Sequence, residues 1–228
     1  MVRMVVFDMA GTTVDEDNVV YKTLQKTINE RQFDLTLDEV LAEGAGKEKL
    51  QAIRSILASK EMSDETLATD IFGTFLQQLE VAYQTLDVKE QRHASHTFKE
   101  LKERNIYVVL DTGYNRETAE SLIKKIGWEK GVHFDLLVTA SDVNQNRPYP
   151  DMILLAMEKL NVQSGELVIK VGDSGIDIQE GQNAGCLYSI GITTGAHTRQ
   201  QLAEANPDFI IDSLLEVIPI VDRVAAVS

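Results

Sequence analysis

Short runs of apolar residues punctuate the chain at about 3–7, 106–110, 134–138, 167–171, 186–190 and 208–211, and each gives way to loop-forming residues. Runs of that length between turn signals read as buried strands. From residue 106 onward they alternate with segments of helical period, which predicts a parallel sheet with helices on both faces. The stretch 15–90 breaks the alternation. There Val20, Leu24 and Ile28 recur at i, i+4, i+8, and Leu50, Ile53 and Leu57 at i, i+3, i+7. Leu67, Ile71, Phe75, Leu79 and Ala82 continue the pattern in a longer segment that Ser63-Asp64-Glu65 can start. This stretch reads as successive amphipathic helices with no strand. The expected fold class is therefore α/β, a doubly wound, Rossmann-like parallel sheet with a helical cap inserted after the first strand. Residues 1–14 and 91–228 form the expected core domain and residues 15–90 the cap.

Composition narrows the function. The chain has 228 residues, 43% of them apolar, enough for one α/β core and a smaller insert. A net charge of −14 argues against a nucleic-acid or anionic-membrane partner. An anionic substrate must then be held by a few local cations and backbone N–H groups. The single cysteine, Cys186, excludes an intramolecular disulfide and reads as a buried structural thiol. No apolar stretch approaches the length of a membrane span. The first strand begins after three residues, which leaves no room for a signal peptide, so a cytoplasmic protein is expected.

The candidate chemistry sits where strands end. Val5-Val6-Phe7-Asp8-Met9-Ala10-Gly11-Thr12-Thr13 places a carboxylate at the C-terminal tip of a buried strand, where open α/β sheets bind their ligands. Tyr107-Val108-Val109-Leu110-Asp111-Thr112-Gly113-Tyr114 ends a second strand on a hydroxyl and a glycine, a natural anion site at a helix start. Arg147-Pro148-Tyr149-Pro150 fixes a cation ahead of two prolines. Val171-Gly172-Asp173-Ser174-Gly175-Ile176-Asp177 ends a further strand in an acidic loop, where Asp177 could equally serve a helix N-terminus.

Taken together, these four motifs resemble the haloacid dehalogenase superfamily of aspartate-nucleophile hydrolases, and the resemblance spans nearly the whole chain. The D-x-A-G-T-T opening, the T-G-Y and the R-P-Y-P in place of a lysine motif look like the phosphonatases and their close relatives. The resemblance implies that Asp8 is the nucleophile and that Asp8, Asp173 and the Ala10 carbonyl bind Mg²⁺, with Asp177 orienting the waters of the metal. Gly11, Thr112, Gly113 and Arg147 are the expected substrate-binding residues. It also implies that the cap closes over the site and chooses the substrate.

Ala10 is a departure from the phosphomonoesterases of that superfamily, which carry a second Asp there to protonate the leaving alkoxide. Alanine donates no proton, so the leaving group needs none or is served otherwise. The phosphonatase solution is a lysine that forms a Schiff base, whose iminium accepts the electrons of the C–P bond. Gly46-Lys47-Glu48-Lys49-Leu50-Gln51-Ala52-Ile53-Arg54 resembles their cap motif, with Lys49 matching the lysine and Ile53-Arg54 the tail. On a helix Lys49 falls roughly 40° from Ile53, whereas Lys47 falls roughly 120° away on the opposite face. Ala52 and Ala45 stand where phosphonatases have a histidine and a methionine, which implies a relative with a changed substrate or slower imine chemistry.

The expected function is an Mg²⁺-dependent hydrolase cleaving a phosphoryl group from a small phosphonate-type metabolite. A phosphatase acting on a small phosphomonoester is the alternative. A dehalogenase, which needs no metal, is disfavoured by the Asp173/Asp177 pair, and a non-catalytic binding protein by the full set of motifs. A homodimer through the cap is one expected assembly.

Overall fold

The computed structural model describes residues 1–85 and 88–227. Residues 86–87, inside the helical stretch expected over 15–90, and residue 228, at the end of the expected core, lie outside the described residues. The chain opens with β1 (Met4–Asp8) and a two-residue strand β2 (Val14–Asp15), followed by α1 (Val19–Asn29), α2 (Leu37–Gly44), α3 (Lys49–Ser59) and α4 (Glu65–Thr85). It continues through β3 (Lys89–Glu90), α5 (Ala94–Glu103), β4 (Tyr107–Thr112), α6 (Arg116–Ile126), β5 (Leu136–Thr139) and α7 (Asp151–Leu160). The last part comprises β6 (Val168–Gly172), α8 (Gly175–Asn183), β7 (Tyr188–Ile192), α9 (Arg199–Glu204), β8 (Phe209–Ile211) and α10 (Val217–Val227).

Among the described residues, six strands form one parallel sheet in the order β5-β4-β1-β6-β7-β8. Each matches one of the apolar runs to within about two residues. β1 lies in the middle and is buried along its whole length, as a strand covered on both faces must be. Its side chains alternate: Val5 and Phe7 join the large core with α5, α6 and the inserted helices, while Met4 and Val6 join the cluster built on Met152, Ile153 and Ala156 of α7. The chain runs outward from β1 through β4 and β5 on one side and through β6, β7 and β8 on the other. That reversal opens a crevice at the carboxyl ends of β1, β4 and β6, where such sheets take their ligands.

The stretch between β2 and β3 is helical, with Val20, Leu24 and Ile28 of α1, Ile53, Ile56 and Leu57 of α3, and Ile71, Phe75 and Leu79 of α4 all buried. Asp64 starts α4 by accepting the Leu67 N–H at 3.0 Å. The expectation of no strand over 15–90 needs a correction. Val14 pairs with Glu90 and Asp15 with Lys89 in a short antiparallel ladder that ties the two crossings of the chain together. Two-residue strands are too short to leave a periodic signal. Cys186 is half-buried rather than buried, because it sits in the turn ahead of β7, and its surroundings still push the thiol up to about 12. No helix among the described residues is long and apolar enough to cross a membrane.

Candidate active site

Strand pairing decides which side chains meet in the crevice. Asp8 ends β1 opposite Asp111 of β4, and Phe7 lies opposite Val171, so the next loop brings Asp173 alongside. Asp177 follows on the first turn of α8, whose N-cap is Ser174. Asp8, Asp173 and Asp177 each offer a ligand atom within 4.8 Å of the others, and all three are buried. Like charges this close resist ionisation. Burial, then Asp8 and Asp177, hold the Asp173 carboxyl well above the usual range. Burial, then Asp177, lift Asp8 to about 6 against the pull of Arg147 and Lys170. Crowded hard oxygen donors with excess negative charge are what a small divalent cation requires. Ala10 lines the same cavity as Asp8 and Asp173.

Arg147 stands beside this cluster with 1% of its surface exposed. Its Nη1 pairs with Asp8 at 2.7 Å and Asp177 at 2.9 Å, its Nη2 with Asp111 at 2.6 Å and its Nε with Glu180 at 2.9 Å. Every nitrogen of the fork expected to grip substrate is therefore engaged by a carboxylate. Sequence reasoning also missed Lys170, a fully buried cation within β6 that pairs with Asp111, Glu180 and Asp177. Burial pushes its ammonium down, but Asp111, Glu180 and Asp177 more than compensate. Glu180 is lifted to about 8 by burial and then by Asp111. The only sequence signal was a lone lysine inside an apolar run.

The expected glycine and threonine positions also reach the crevice. Thr112 and Gly113 line the cavity with Asp8. The Thr112 hydroxyl accepts the Tyr114 N–H at 3.2 Å. Gly11 is already committed, since its N–H donates to the Val14 carbonyl at 2.9 Å and its carbonyl accepts from Thr194 Oγ1 at 2.7 Å.

The insert meets the core at Gly46. A Cβ there would lie 2.3 Å from the Ile176 side chain, and one on Gly113 would lie 2.9 Å from the Lys47 carbonyl, so both positions admit only glycine while the loop is seated. The Gly46 carbonyl accepts from Arg147 at 3.4 Å and its N–H donates to Tyr21 Oη at 3.0 Å. α3 begins at Lys49, so Lys47 precedes the helix and stands half-buried. Lys49 itself is 6% exposed. Its Nζ donates to the Lys47 carbonyl at 2.9 Å and to Tyr21 Oη at 3.3 Å, over the rings of Tyr21 at 4.8 Å and Tyr114 at 5.3 Å. Burial lowers the amine to about 8, against the opposing charges of Asp8 and Glu16. The structure thus brings Asp8, Ala10, Lys49, Thr112, Gly113, Arg147 and Asp173 around one cavity, which also includes Tyr21 and Tyr114.

Residues 5–191 match the family model of haloacid dehalogenase-like hydrolases. The phosphonoacetaldehyde hydrolase of Bacillus cereus (strain B4264) is 30% identical over 212 residues, covering 86% of this chain and 77% of that protein. A bifunctional phosphonoacetaldehyde hydrolase/aminoethylphosphonate transaminase of Clostridioides difficile (strain 630) is 30% identical over 210 residues, 86% of this chain but 32% of that longer protein. Among solved structures, a phosphonoacetaldehyde hydrolase-like protein from Oleispira antarctica superposes with a TM-score of 0.84 at 23% identity, over 97% of this chain and 93% of that one.

Proposed function

This chain belongs to the haloacid dehalogenase-like hydrolases, and within them we propose that it is an Mg²⁺-dependent enzyme that takes the phosphoryl group from a small carbonyl-bearing phosphonate. The observation that carries this reading is Lys49, a nearly buried amine lowered to about 8 on the wall of the Asp8 cavity. An amine of that kind is free enough at neutral pH to attack a carbonyl. Ala10 supports the same choice, because no acid stands there to protonate an alkoxide.

Asp8, the Ala10 carbonyl and Asp173 would hold the Mg²⁺, with Asp177 beside them. When bound, the ion neutralises the phosphoryl oxygens so that an anionic nucleophile can approach. The protein's own groups do the rest. Lys49 adds to the carbonyl and, with loss of water, forms an iminium. Asp8 attacks phosphorus, and the electrons of the breaking C–P bond enter the iminium to give an enamine. Water then hydrolyses the aspartyl-phosphate. A proton taken up at the enamine carbon restores the iminium, and water adds to it to release the carbonyl product and free Lys49. Arg147, held by its carboxylates, fixes the Asp8 carboxylate for attack.

We further assign helices α1–α4 as a cap. Gly46, packed against Ile176 and Gly113, forms one wall of the small cavity that holds Asp8. Lifting of the Gly46 loop would admit substrate, and its closure would exclude bulk water. Turnover of phosphonoacetaldehyde against a panel of phosphate monoesters, with and without Mg²⁺, tests the function. We expect phosphate from the phosphonate, lost in Lys49→Arg, which keeps the charge but cannot form the imine. Hydrolysis of monoesters instead, with kcat kept in Lys49→Arg, would assign a phosphatase.

A further inference from the structure

Imine formation needs a base to free the amine and an acid to expel water. The charged groups acting on Lys49 are Asp8, Glu16, Glu48 and Arg147. Asp8 is paired with Arg147 and is spent on phosphorus. Both oxygens of Glu48 cap α3, accepting the Leu50 and Gln51 N–H groups at 3.0 Å each. Glu16 differs. It lies between β2 and α1 with 3% exposure, and its Oε2 accepts from Tyr83 Oη at 2.9 Å. Its Oε1 is buried without a hydrogen-bond partner among the described residues, and so is the Tyr114 hydroxyl. Like Tyr83, Tyr114 is near enough to pull the Glu16 carboxyl down. The same tyrosine ring lies 5.3 Å from Lys49 Nζ.

We propose that Glu16 carries the protons of imine formation at Lys49, relayed through the Tyr114 hydroxyl. This rests on the lysine chemistry proposed above. The Lys49 ammonium gives one proton to Glu16, and the free amine forms a C–N bond as the carbonyl π electrons move to oxygen. A second nitrogen proton passes to that oxygen. Glu16 returns its proton to the resulting hydroxyl, the C–O bond breaks, and water leaves an iminium that keeps one N–H. Atoms and charge balance, and Glu16 ends as it began.

The groups facing Glu16 are Tyr83 from α4, Tyr21 from α1, Lys49 from α3 and Tyr114 from the loop after β4. Burial lifts the carboxyl to about 7, with Tyr83 and Tyr114 pulling it back. Lys49 at about 8 is close to it, so a proton passes between them at little cost near neutrality.

Borohydride trapping of Lys49 with phosphonoacetaldehyde, followed by intact mass, reads the step directly. Glu16→Gln keeps the shape and loses the proton. The trapping rate should fall about 100-fold, with KM changed only a few-fold and the limb of the pH profile near 7 gone. Glu16→Asp should restore part of the rate. If Glu16→Gln fails to fold by circular dichroism, Tyr114→Phe removes the relay hydroxyl and leaves the Glu16 carboxyl in place, and the same loss is expected, with the pH limb moved upward. Trapping at the wild-type rate and pH profile in the folded variant would overturn the role of Glu16 alone. No adduct even in the wild type would overturn the lysine chemistry, and this proposal with it.

Discussion

Replacing Lys170 by Met isolates the buried charge network from the chemistry, because Lys170 lies beneath the carboxylates rather than in the cavity. The ammonium is fully buried and pairs with Asp111, with Glu180 at 3.0 Å and with Asp177 at 3.4 Å. Methionine fills nearly the same space, so packing loss is small and the effect is electrostatic. Removing one partner of a buried ion pair costs about 3–5 kcal/mol, because the other charge stays buried without compensation. Arg147 remains on the same carboxylates, which places the expected loss at the lower end, about 3 kcal/mol. At about 2–4 °C per kcal/mol for a chain of this size, Tm should fall by roughly 6–12 °C. Urea denaturation at pH 7 with chelator present measures it, and an unchanged m-value shows that native compactness is kept. The double variant Lys170→Met/Asp111→Asn should recover part of the loss, since the stranded carboxylate is then neutral. A loss below about 1 kcal/mol, or a double variant equal to the sum of the singles, would refute the account.

Asp8→Asn should remove turnover by several orders of magnitude and abolish phosphoryl labelling of the enzyme, read by mass spectrometry; retained labelling would assign another nucleophile. Asp173→Asn should abolish Mg²⁺ binding in calorimetry yet stabilise the metal-free protein near pH 8, because one of three crowded carboxylates is gone; a destabilised metal-free variant would contradict the repulsion. For Glu16, the folded value of about 7 lies above the ordinary carboxyl value, so its stabilising contribution is complete below about 4.5 and is lost as pH rises through 7. Glu16→Gln should therefore gain on the wild type between pH 5 and 8, by roughly 3 kcal/mol, in parallel urea titrations; a pH-independent difference would show that Glu16 titrates normally.

Residues whose chemistry conflicts with their sequence surroundings were legible. Asp8 and Asp173 close apolar runs, and Lys49 falls on an apolar helix face, so each stood out before any coordinates. Glu16 did not. It sits between Asp15 and Asp17, both exposed, and reads as part of a solvated turn. Only the short ladder from Val14 to Glu90 turns it inward beneath Tyr83, 67 residues away. Arg147 was legible as a fixed cation, but its partners come from β1, β4 and α8, and no local pattern records that meeting. Asp177 and Glu180 left a weak trace, three apart and so on one helix face. The strand runs held because burial on both faces demands unbroken apolar sequence, while their ends shifted with pairing.

The ladder of Val14–Asp15 with Lys89–Glu90 has a consequence for how such a molecule changes over generations. The inserted helices leave and rejoin the sheet through two adjacent, hydrogen-bonded strands. Segments whose ends lie side by side can be exchanged without disturbing the host. The sheet keeps its buried carboxylates whichever helices are spliced between residues 15 and 89, and those helices bring Lys49, Tyr21 and Tyr83 with them. On the chemistry proposed above, exchange or drift of that segment would change the groups offered to a substrate while the attack on phosphorus stays with the sheet.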